Sequence, residues 1–398
     1  SGEFLEAALT AGVCSAGGDV VKLGITTTPA VAYLTNDLGA QAGVVISASH
    51  NSAEYNGIKV FGSSGYKLPD DVEDAVEAVI RDGGGPHPDG RALGRVTAEE
   101  DADERYLRHL VASAEGSLHG MRVVLDCANG GAFRLAPAAL TRLGADVVAI
   151  HAAPDGWNIN EQCGATHPEV LADAVRDAGA DSGVAHDGDA DRAMFADHRG
   201  EIVDGDQVLA AAALDFRERG RLDGDVIVTT VMANLGLKRR MTEAGVSVAE
   251  TKVGDRYVLE EMRRVGAVLG GEQSGHVIFL HHATTGDGIL TAVQFLTLAA
   301  RTGRTVADLA GSMPRFPQVL RNVPVPEPAA VERADAVWVA VRGAEEDLGE
   351  NGRVLVRPSG TEAVVRVMVE AARREDADRH ADAIAAAVVG ALGARTPS

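Results

Sequence analysis

The sequence predicts an α/β protein built of successive strand–helix units and closed by a smaller α+β module at its C-terminus. Two observations carry that reading. Apolar strand-like runs alternate with amphipathic helical runs through most of the 398 residues, a pattern of α/β units rather than of a sandwich or a bundle. The alternation stops at a proline-rich run over residues 314–328, beyond which come further strand-like runs and one helix. The length exceeds what a single hydrophobic core supports and requires several domains.

In the first segment, residues 42–47 (Ala-Gly-Val-Val-Ile-Ser) read as a buried strand ending in a polar loop. Asp70 or Asp71 then caps a helix with Val72, Ala75, Val76 and Val79 on one face. Residues 82–94 are rich in Gly and Pro and form a surface loop, and residues 98–113 form a second helix. The second segment opens with a strand over 123–128, a turn at Asn129-Gly130-Gly131 and a helix over 132–143. A strand at 147–150, a helix at 168–178 and a strand around 183–185 follow, then a hairpin with residues 197–200 at its tip. The third segment repeats the rhythm: strand 225–230, helix 236–244, strand 246–249, helix 255–265, strand 267–269, and an apolar helix over 286–300. The second and third segments therefore read as related three-layer domains. The last segment carries strands at 336–341, 353–356 and 364–369 and a helix at 377–392. Domain limits fall at 1–113, 114–219, 220–318 and 319–398.

With 37 Lys and Arg against 58 Asp and Glu, the net charge is -21. Such a chain repels phosphate backbones, which excludes nucleic acid as the main partner. An anionic small molecule would need local basic groups set against the overall field. The 45% hydrophobic composition is ordinary for a globular protein. Cys14, Cys127 and Cys163 form no Cys-x-x-Cys pair and no metal spacing, which fits a reducing cytoplasm. Cys127, inside an apolar run, reads as a small core residue. No stretch approaches the ~18 apolar residues of a membrane span, and no signal peptide is seen.

Four polar loops carry the candidate chemistry. Asp187-Gly188-Asp189-Ala190-Asp191-Arg192 follows a strand, where α/β folds place their sites. Carboxylates at i, i+2 and i+4 in a tight loop repel one another, and a hard divalent cation relieves them. A calcium EF-hand loop is excluded, because Arg192 and His198 stand where it requires Gly and Glu. Three carboxylates leave octahedral positions open, which suits Mg²⁺ holding a phosphate oxygen; the bland alternative is a solvated acidic turn. Ile46-Ser47-Ala48-Ser49-His50-Asn51 ends another strand. Ser49 there is either a nucleophile activated from outside its own segment or part of a turn-forming cluster. His50 need not be its base, since neighbours on extended backbone point apart. Lys59 could supply a cation or a proton, or be merely an exposed lysine. In Gly271-Glu272-Gln273-Ser274-Gly275-His276, Glu272 and Ser274 face the same way and could bond sugar hydroxyls, with His276 suited to proton transfer; a Gly-rich turn is the alternative. Arg357-Pro358-Ser359-Gly360-Thr361-Glu362, with Arg366 farther on, combines cations, hydroxyls and an opened backbone into an anion cradle, against the alternative of a plain hairpin turn.

Taken together, the four loops resemble those of the α-D-phosphohexomutase family, in order and over nearly the whole chain. Residues 46–51, Lys252-Val253-Gly254-Asp255-Arg256-Tyr257, residues 271–276 and Thr284-Thr285-Gly286-Asp287-Gly288 are most similar to the family's bacterial phosphoglucosamine mutase branch, with Gln273 favouring it. The resemblance implies three mixed-sheet α/β/α domains, the first truncated at its N-terminus, plus the C-terminal domain, arranged around a central cleft. It implies phosphorylation of Ser49, whose phosphate would ligate Mg²⁺ with Asp187, Asp189 and Asp191. It gives Ser49, His50, Lys59, Arg192 and His276 to catalysis. Asp255, Arg256, Glu272, Ser274, Arg357, Ser359, Gly360, Thr361 and Arg366 would bind substrate. The implied reaction interconverts glucosamine 6-phosphate and glucosamine 1-phosphate through a 1,6-bisphosphate, supplying UDP-N-acetylglucosamine and the cell wall from the cytoplasm. The substrate partner is a small hexosamine phosphate, without nucleic acid or membrane, and a homodimer is the assembly considered. A phosphomannomutase/phosphoglucomutase, or a truncated sugar-phosphate binder without turnover, are the rival readings. The sequence departs from the family at Ser52 and Ala363, where proline is usual, and lacks its first strand and arginine-bearing N-terminal loop.

Overall fold

In the computed structural model, which describes residues 1–85, 88–359 and 362–393, the first segment folds as α1 (Gly2–Ser15), β1 (Val20–Lys22), α2 (Thr28–Asp37), β2 (Ala42–Ser47), β3 (Gly57–Gly62), α3 (Asp70–Arg81), β4 (Val96–Ala98) and α4 (Ala102–Ser113). Its strands form two separate pairs, parallel β1–β4 and antiparallel β2–β3. The start of α2 is a sequence-encoded cap: the Thr27 hydroxyl accepts from the Ala30 amide at 3.2 Å, with Pro29 in the first turn. Val31, Ala32, Val45 and Phe61 make a small core. The expected amphipathic helix forms as α3, but its apolar face stays in solvent, with Val76 46% and Ile80 72% exposed.

The second segment comprises β5 (Arg122–Asp126), α5 (Ala132–Arg142), β6 (Asp146–Ile150), α6 (Pro168–Ala178), β7 (Ser182–His186), β8 (Ala193–Asp197) and β9 (Ile202–Val203). These strands make one mixed sheet of order β6-β5-β7-β8-β9, parallel at β6-β5-β7 and antiparallel beyond. Every residue of β7 is buried, as expected for a strand covered on both faces. Val124, Leu171, Val175 and Ala185 pack together on one of them. The loop between β7 and β8 is the triple-aspartate segment.

The third segment runs α7 (Gly205–Glu218), β10 (Val226–Thr230), α8 (Leu235–Glu243), β11 (Ser247–Thr251), α9 (Asp255–Val265), β12 (Leu269–Gly271), β13 (Val277–Phe279), α10 (Gly288–Thr302) and α11 (Val306–Ala310). Its sheet has the order β11-β10-β12-β13, with only β13 antiparallel. Asp204 and Gln207 form a reciprocal capping box on α7. Helix α10 is buried almost throughout, matching its apolar sequence.

The C-terminal segment contains β14 (Gln318–Pro324), α12 (Asp335–Leu348), β15 (Gly352–Pro358), β16 (Val364–Ala371) and α13 (Arg374–Leu392), with an antiparallel sheet of order β14-β16-β15. Two expectations change here. Residues 336–341 are helical, not a strand: Val337, Val341, Ala344 and Leu348 are buried at helical spacing, and that period overrides the strand-like Val-Trp-Val-Ala-Val composition. The proline-rich run is not all linker, for it carries edge strand β14, where a terminal proline is tolerated.

The chain divides into two compact bodies, residues 1–232 with 244–312, and residues 233–243 with 313–398. Helix α8 thus belongs with the C-terminal strands. Within that body the buried Glu370 carboxylate accepts from the Leu235 amide at 2.9 Å, the Gln318 amide at 2.9 Å and the Arg353 guanidinium at 2.6 Å. Among the described residues no helix is long and apolar enough to cross a membrane.

Candidate active site

The β7–β8 loop turns sharply because Ala190 adopts a left-handed backbone (φ 58°) and the Ala190 amide donates to the Asp187 carbonyl at 3.0 Å. One oxygen from each of Asp187, Asp189 and Asp191 then lies within 4.8 Å of the others, and all three residues are buried. Asp187 Oδ2, Asp189 Oδ1 and Asp191 Oδ1 have no hydrogen-bond partner. Burial, followed by the neighbouring Asp191 and Asp189 charges, pushes the Asp187 carboxyl well above the usual carboxylate range. Buried, mutually repelling and without hydrogen bonds, these oxygens are chemically suited to a hard divalent cation such as Mg²⁺.

Strand β2 delivers Ser49 to the same place. Ser49 also has a left-handed backbone (φ 55°), and its amide donates to Ser47 Oγ at 2.9 Å. Lys59 lies opposite Val45 on β3. Its Nζ is 3.4 Å from Ser49 Oγ, 2.6 Å from Asp189 Oδ2 and 3.4 Å from Asp191 Oδ2. Burial lowers the Lys59 pKa, but the Asp191 and Asp189 charges more than offset it and hold the side chain as an ammonium. Thr28, unforeseen from the sequence, donates from Oγ1 to Asp189 Oδ2 at 2.6 Å and from its amide to the Asp189 carbonyl at 3.0 Å. The local signal that could have flagged it is the Thr-Thr-Thr-Pro helix start at 26–29.

His50 and Arg192 meet at the edge of this group, with Arg192 Nη2 3.4 Å from His50 Nδ1. Burial and the Arg192 charge depress the His50 pKa, so a neutral imidazole faces the guanidinium. For Arg192, burial is outweighed by Asp187 and Asp191, which keep it firmly cationic.

The sugar-loop candidate is the turn between β12 and β13. The Glu272 amide donates to the His276 carbonyl at 2.9 Å, and the Ala193 amide donates to the Gly275 carbonyl at 3.0 Å, stitching this turn to the end of the aspartate loop. Gly275 is required there: its φ is 90°, and a Cβ would lie 2.4 Å from the Ala193 carbonyl oxygen. Glu272 Oε1 accepts from the Gly254 amide at 3.2 Å. Gln273 turns away and donates to Asp204 Oδ2 at 3.4 Å. Ser274 is half-buried in the turn. His276 is buried, and neither ring nitrogen has a hydrogen-bond partner, although Asp255 Oδ2 lies 3.7 Å from Nε2. Burial favours neutral Asp255, but neighbouring His276 and the Lys67 ammonium hold its carboxyl well below the usual range. Lys67 pairs directly with Asp255 and was not singled out from the sequence. Arg256 is engaged by Asp70 and, at 2.9 Å, by Glu260.

In the C-terminal body Arg357 on β15 stands directly opposite Arg366 on β16. Like charges across a strand pair are unfavourable, and burial followed by the Arg366 charge lowers the Arg357 pKa. Arg366 is partly neutralised by Glu362 at 2.6 Å, while Ser359 Oγ accepts from the Glu362 amide at 3.3 Å. Two guanidinium groups side by side are chemically suited to an anion. Gly360 and Thr361 lie outside the described residues.

A second cluster, Asp126, His151 and Cys163, brings donor atoms within 4.8 Å of one another, which the cysteine spacing did not suggest. Asp126 already accepts from the amides of Ala128 and Gly164, each at 2.9 Å, and so braces the loops around the site. Burial and Asp126 push the Cys163 thiol up to about 12, and burial does the same for Cys127. Cys127 is fully buried, as its sequence context implied.

Four family profiles match the chain in order: phosphoglucomutase/phosphomannomutase α/β/α domain I over residues 1–84, domain II over 104–200, domain III over 204–316 and the C-terminal domain over 320–387. Phosphoglucosamine mutase of Symbiobacterium thermophilum is 54% identical over 387 residues, covering 97% of this chain and 86% of that protein. The enzyme of the same name from Streptomyces avermitilis is 54% identical over 397 residues, 99% of this chain and 88% of its own. A crystal structure of a phosphoglucomutase/phosphomannomutase family protein from Burkholderia thailandensis superposes with TM-score 0.83 at 26% identity, covering 99% of this chain and 88% of that one. Aspergillus fumigatus N-acetylphosphoglucosamine mutase, solved with GlcNAc-6P and magnesium, shares the fold at TM-score 0.69 and 20% identity, covering 93% of each chain. With its four domains matched in sequence, the chain belongs to the phosphoglucomutase/phosphomannomutase family of α-D-phosphohexomutases, and within it is most similar to bacterial phosphoglucosamine mutases.

Proposed function

We propose that the protein interconverts glucosamine 6-phosphate and glucosamine 1-phosphate, with Ser49 as the phosphoryl carrier. The observation that carries the reading is the meeting of Ser49 Oγ, the Lys59 ammonium and three buried carboxylates, with Lys59 Nζ 3.4 Å from the hydroxyl and 2.6 Å from Asp189. A mere binder has no use for a nucleophile so placed. The choice of amino sugar follows the names of the relatives that are 54% identical.

In the forward direction the sugar O1 attacks the phosphorus on phospho-Ser49. The new O1–P bond forms as the P–Oγ bond breaks, giving the 1,6-bisphosphate. Lys59 neutralises charge as it develops on the departing Oγ and can donate it a proton. His276, whose ring nitrogens are free of hydrogen bonds, takes the hydroxyl proton. Arg192, held near Asp187 and Asp191, offers its charge to the phosphoryl oxygens, and neutral His50 orients the guanidinium. Glu272 and Ser274 bond the sugar hydroxyls, with Asp255 and Arg256 framing that side. Arg357, Ser359, Gly360, Thr361 and Arg366 hold the phosphate that does not react. After the bisphosphate turns end for end, its 6-phosphoryl returns to Ser49 by the same chemistry. Mg²⁺, held by Asp187, Asp189, Asp191 and the phosphoryl on Ser49, would neutralise the transferring group.

A coupled assay with glucosamine, glucose and mannose 6-phosphates tests the reading. Highest kcat/KM is expected for the glucosamine ester; a clear preference for mannose 6-phosphate would assign the chain to another hexose.

A further inference from the structure

We infer that Asn160, on the second domain, is a positioning residue that locks the Ser49 loop in its reactive backbone conformation. The inference rests on the reading above, in which Ser49 carries the phosphoryl group.

The side-chain amide of Asn160 donates one hydrogen to the Ser49 carbonyl at 2.8 Å and the other to the Asn51 carbonyl at 2.7 Å. Both carbonyls belong to a loop that needs an external brace, because a non-glycine residue in the left-handed region, as Ser49 is, is disfavoured unless its surroundings over-determine it. The brace is itself anchored: the Asn160 amide donates to the Ala128 carbonyl at 2.9 Å, and the Ala128 amide is held by Asp126 at the end of β5. Asn160 is 7% exposed, so water does not compete freely for the two carbonyls. From another side Gly188 of the aspartate loop closes on the same group, where a Cβ would lie 2.5 Å from the Ser49 carbonyl oxygen. With the peptide after Ser49 fixed in this way, the hydroxyl stays turned toward Lys59 and Asp189. Only a side chain with two amide hydrogens at this reach makes both bonds; an isosteric carboxylate makes neither and opposes two carbonyl oxygens. Asn160 touches no reacting atom, and its effect passes through Ser49.

The test is Asn160→Asp in the intact protein. Single-turnover phosphorylation of Ser49 by glucose 1,6-bisphosphate, followed by intact mass, should slow about tenfold or more, with kcat falling alike. The KM for sugar phosphate should stay within about twofold. A purely structural residue would not produce that split. Wild-type phosphorylation kinetics in the variant would overturn the inference. Should Asn160→Asp fail to fold, Asn160→Ser takes its place; failure of both would overturn the inference too, by making the amide a determinant of the fold rather than of the loop. A wild-type chain that never accepts phosphoryl removes the proposed function and this inference with it, an outcome distinct from loss in the variant alone.

Discussion

The first and second segments bring the two halves of the site, and they are built very differently. Residues 122–203 form one continuous five-stranded sheet whose β7 is buried at every position. Residues 1–113 hold their strands in two separate pairs, and most of the exposed large apolar side chains, from Phe4 to Val96, lie among them. The aspartate loop therefore stands on the firmer support, and the candidate nucleophile on the weaker one. Ser49 is positioned less by its own sheet than by groups reaching across: Gly188, Asn160 and the Asp189 carboxylate shared with Lys59 and Thr28. Precision at a weakly packed loop can be borrowed from a rigid neighbour.

Substitutions can break or sharpen that contrast. The largest effect is expected at Gly188→Ala, whose Cβ would meet the Ser49 carbonyl oxygen at 2.5 Å and Ile159 Cδ1 at 2.6 Å. Displacing the nucleophile should reduce kcat about a hundredfold, and steady-state kinetics of the variant would reveal it. A smaller effect, on stability, should separate the two supports. Leu171→Ala, in the packed face of the second domain, should cost about 2–5 kcal/mol in urea unfolding. Val76→Ser, on the exposed face of α3, should cost about 0.5 kcal/mol or less. Equal losses at both positions would mean that the two supports are alike.

The same contrast explains what was legible in the sequence. Strands β5 and β7 were readable because burial on both faces favours apolar runs, and helix α6 because it is amphipathic, opens on Pro168 and closes on Gly179. The half-exposed edge strand β6 was readable only from its Val-Val-Ala-Ile run. Elements α1, β1 and β4 left no such signal, being short or exposed. In the C-terminal segment α12 was read as a strand because Val337, Trp338, Val339 and Val341 favour one locally, and only packing against α13 and β15 selects the helix. The charged loops announced themselves, since like charges gathered at a strand end need a cause. The groups that hold them did not. Thr28 bonds to Asp189, 161 positions away, and Asn160 bonds to Ser49 and Asn51, 111 and 109 positions away, and contact across such separations has no local pattern.

The most direct test of the central claim is intact-mass analysis of the protein after incubation with a hexose 1,6-bisphosphate and Mg²⁺. One phosphoryl group should be gained and then released on addition of glucosamine 6-phosphate, and Ser49→Ala should gain none. Undiminished turnover by Ser49→Ala, or the phosphoryl group found on a different residue, would contradict the account.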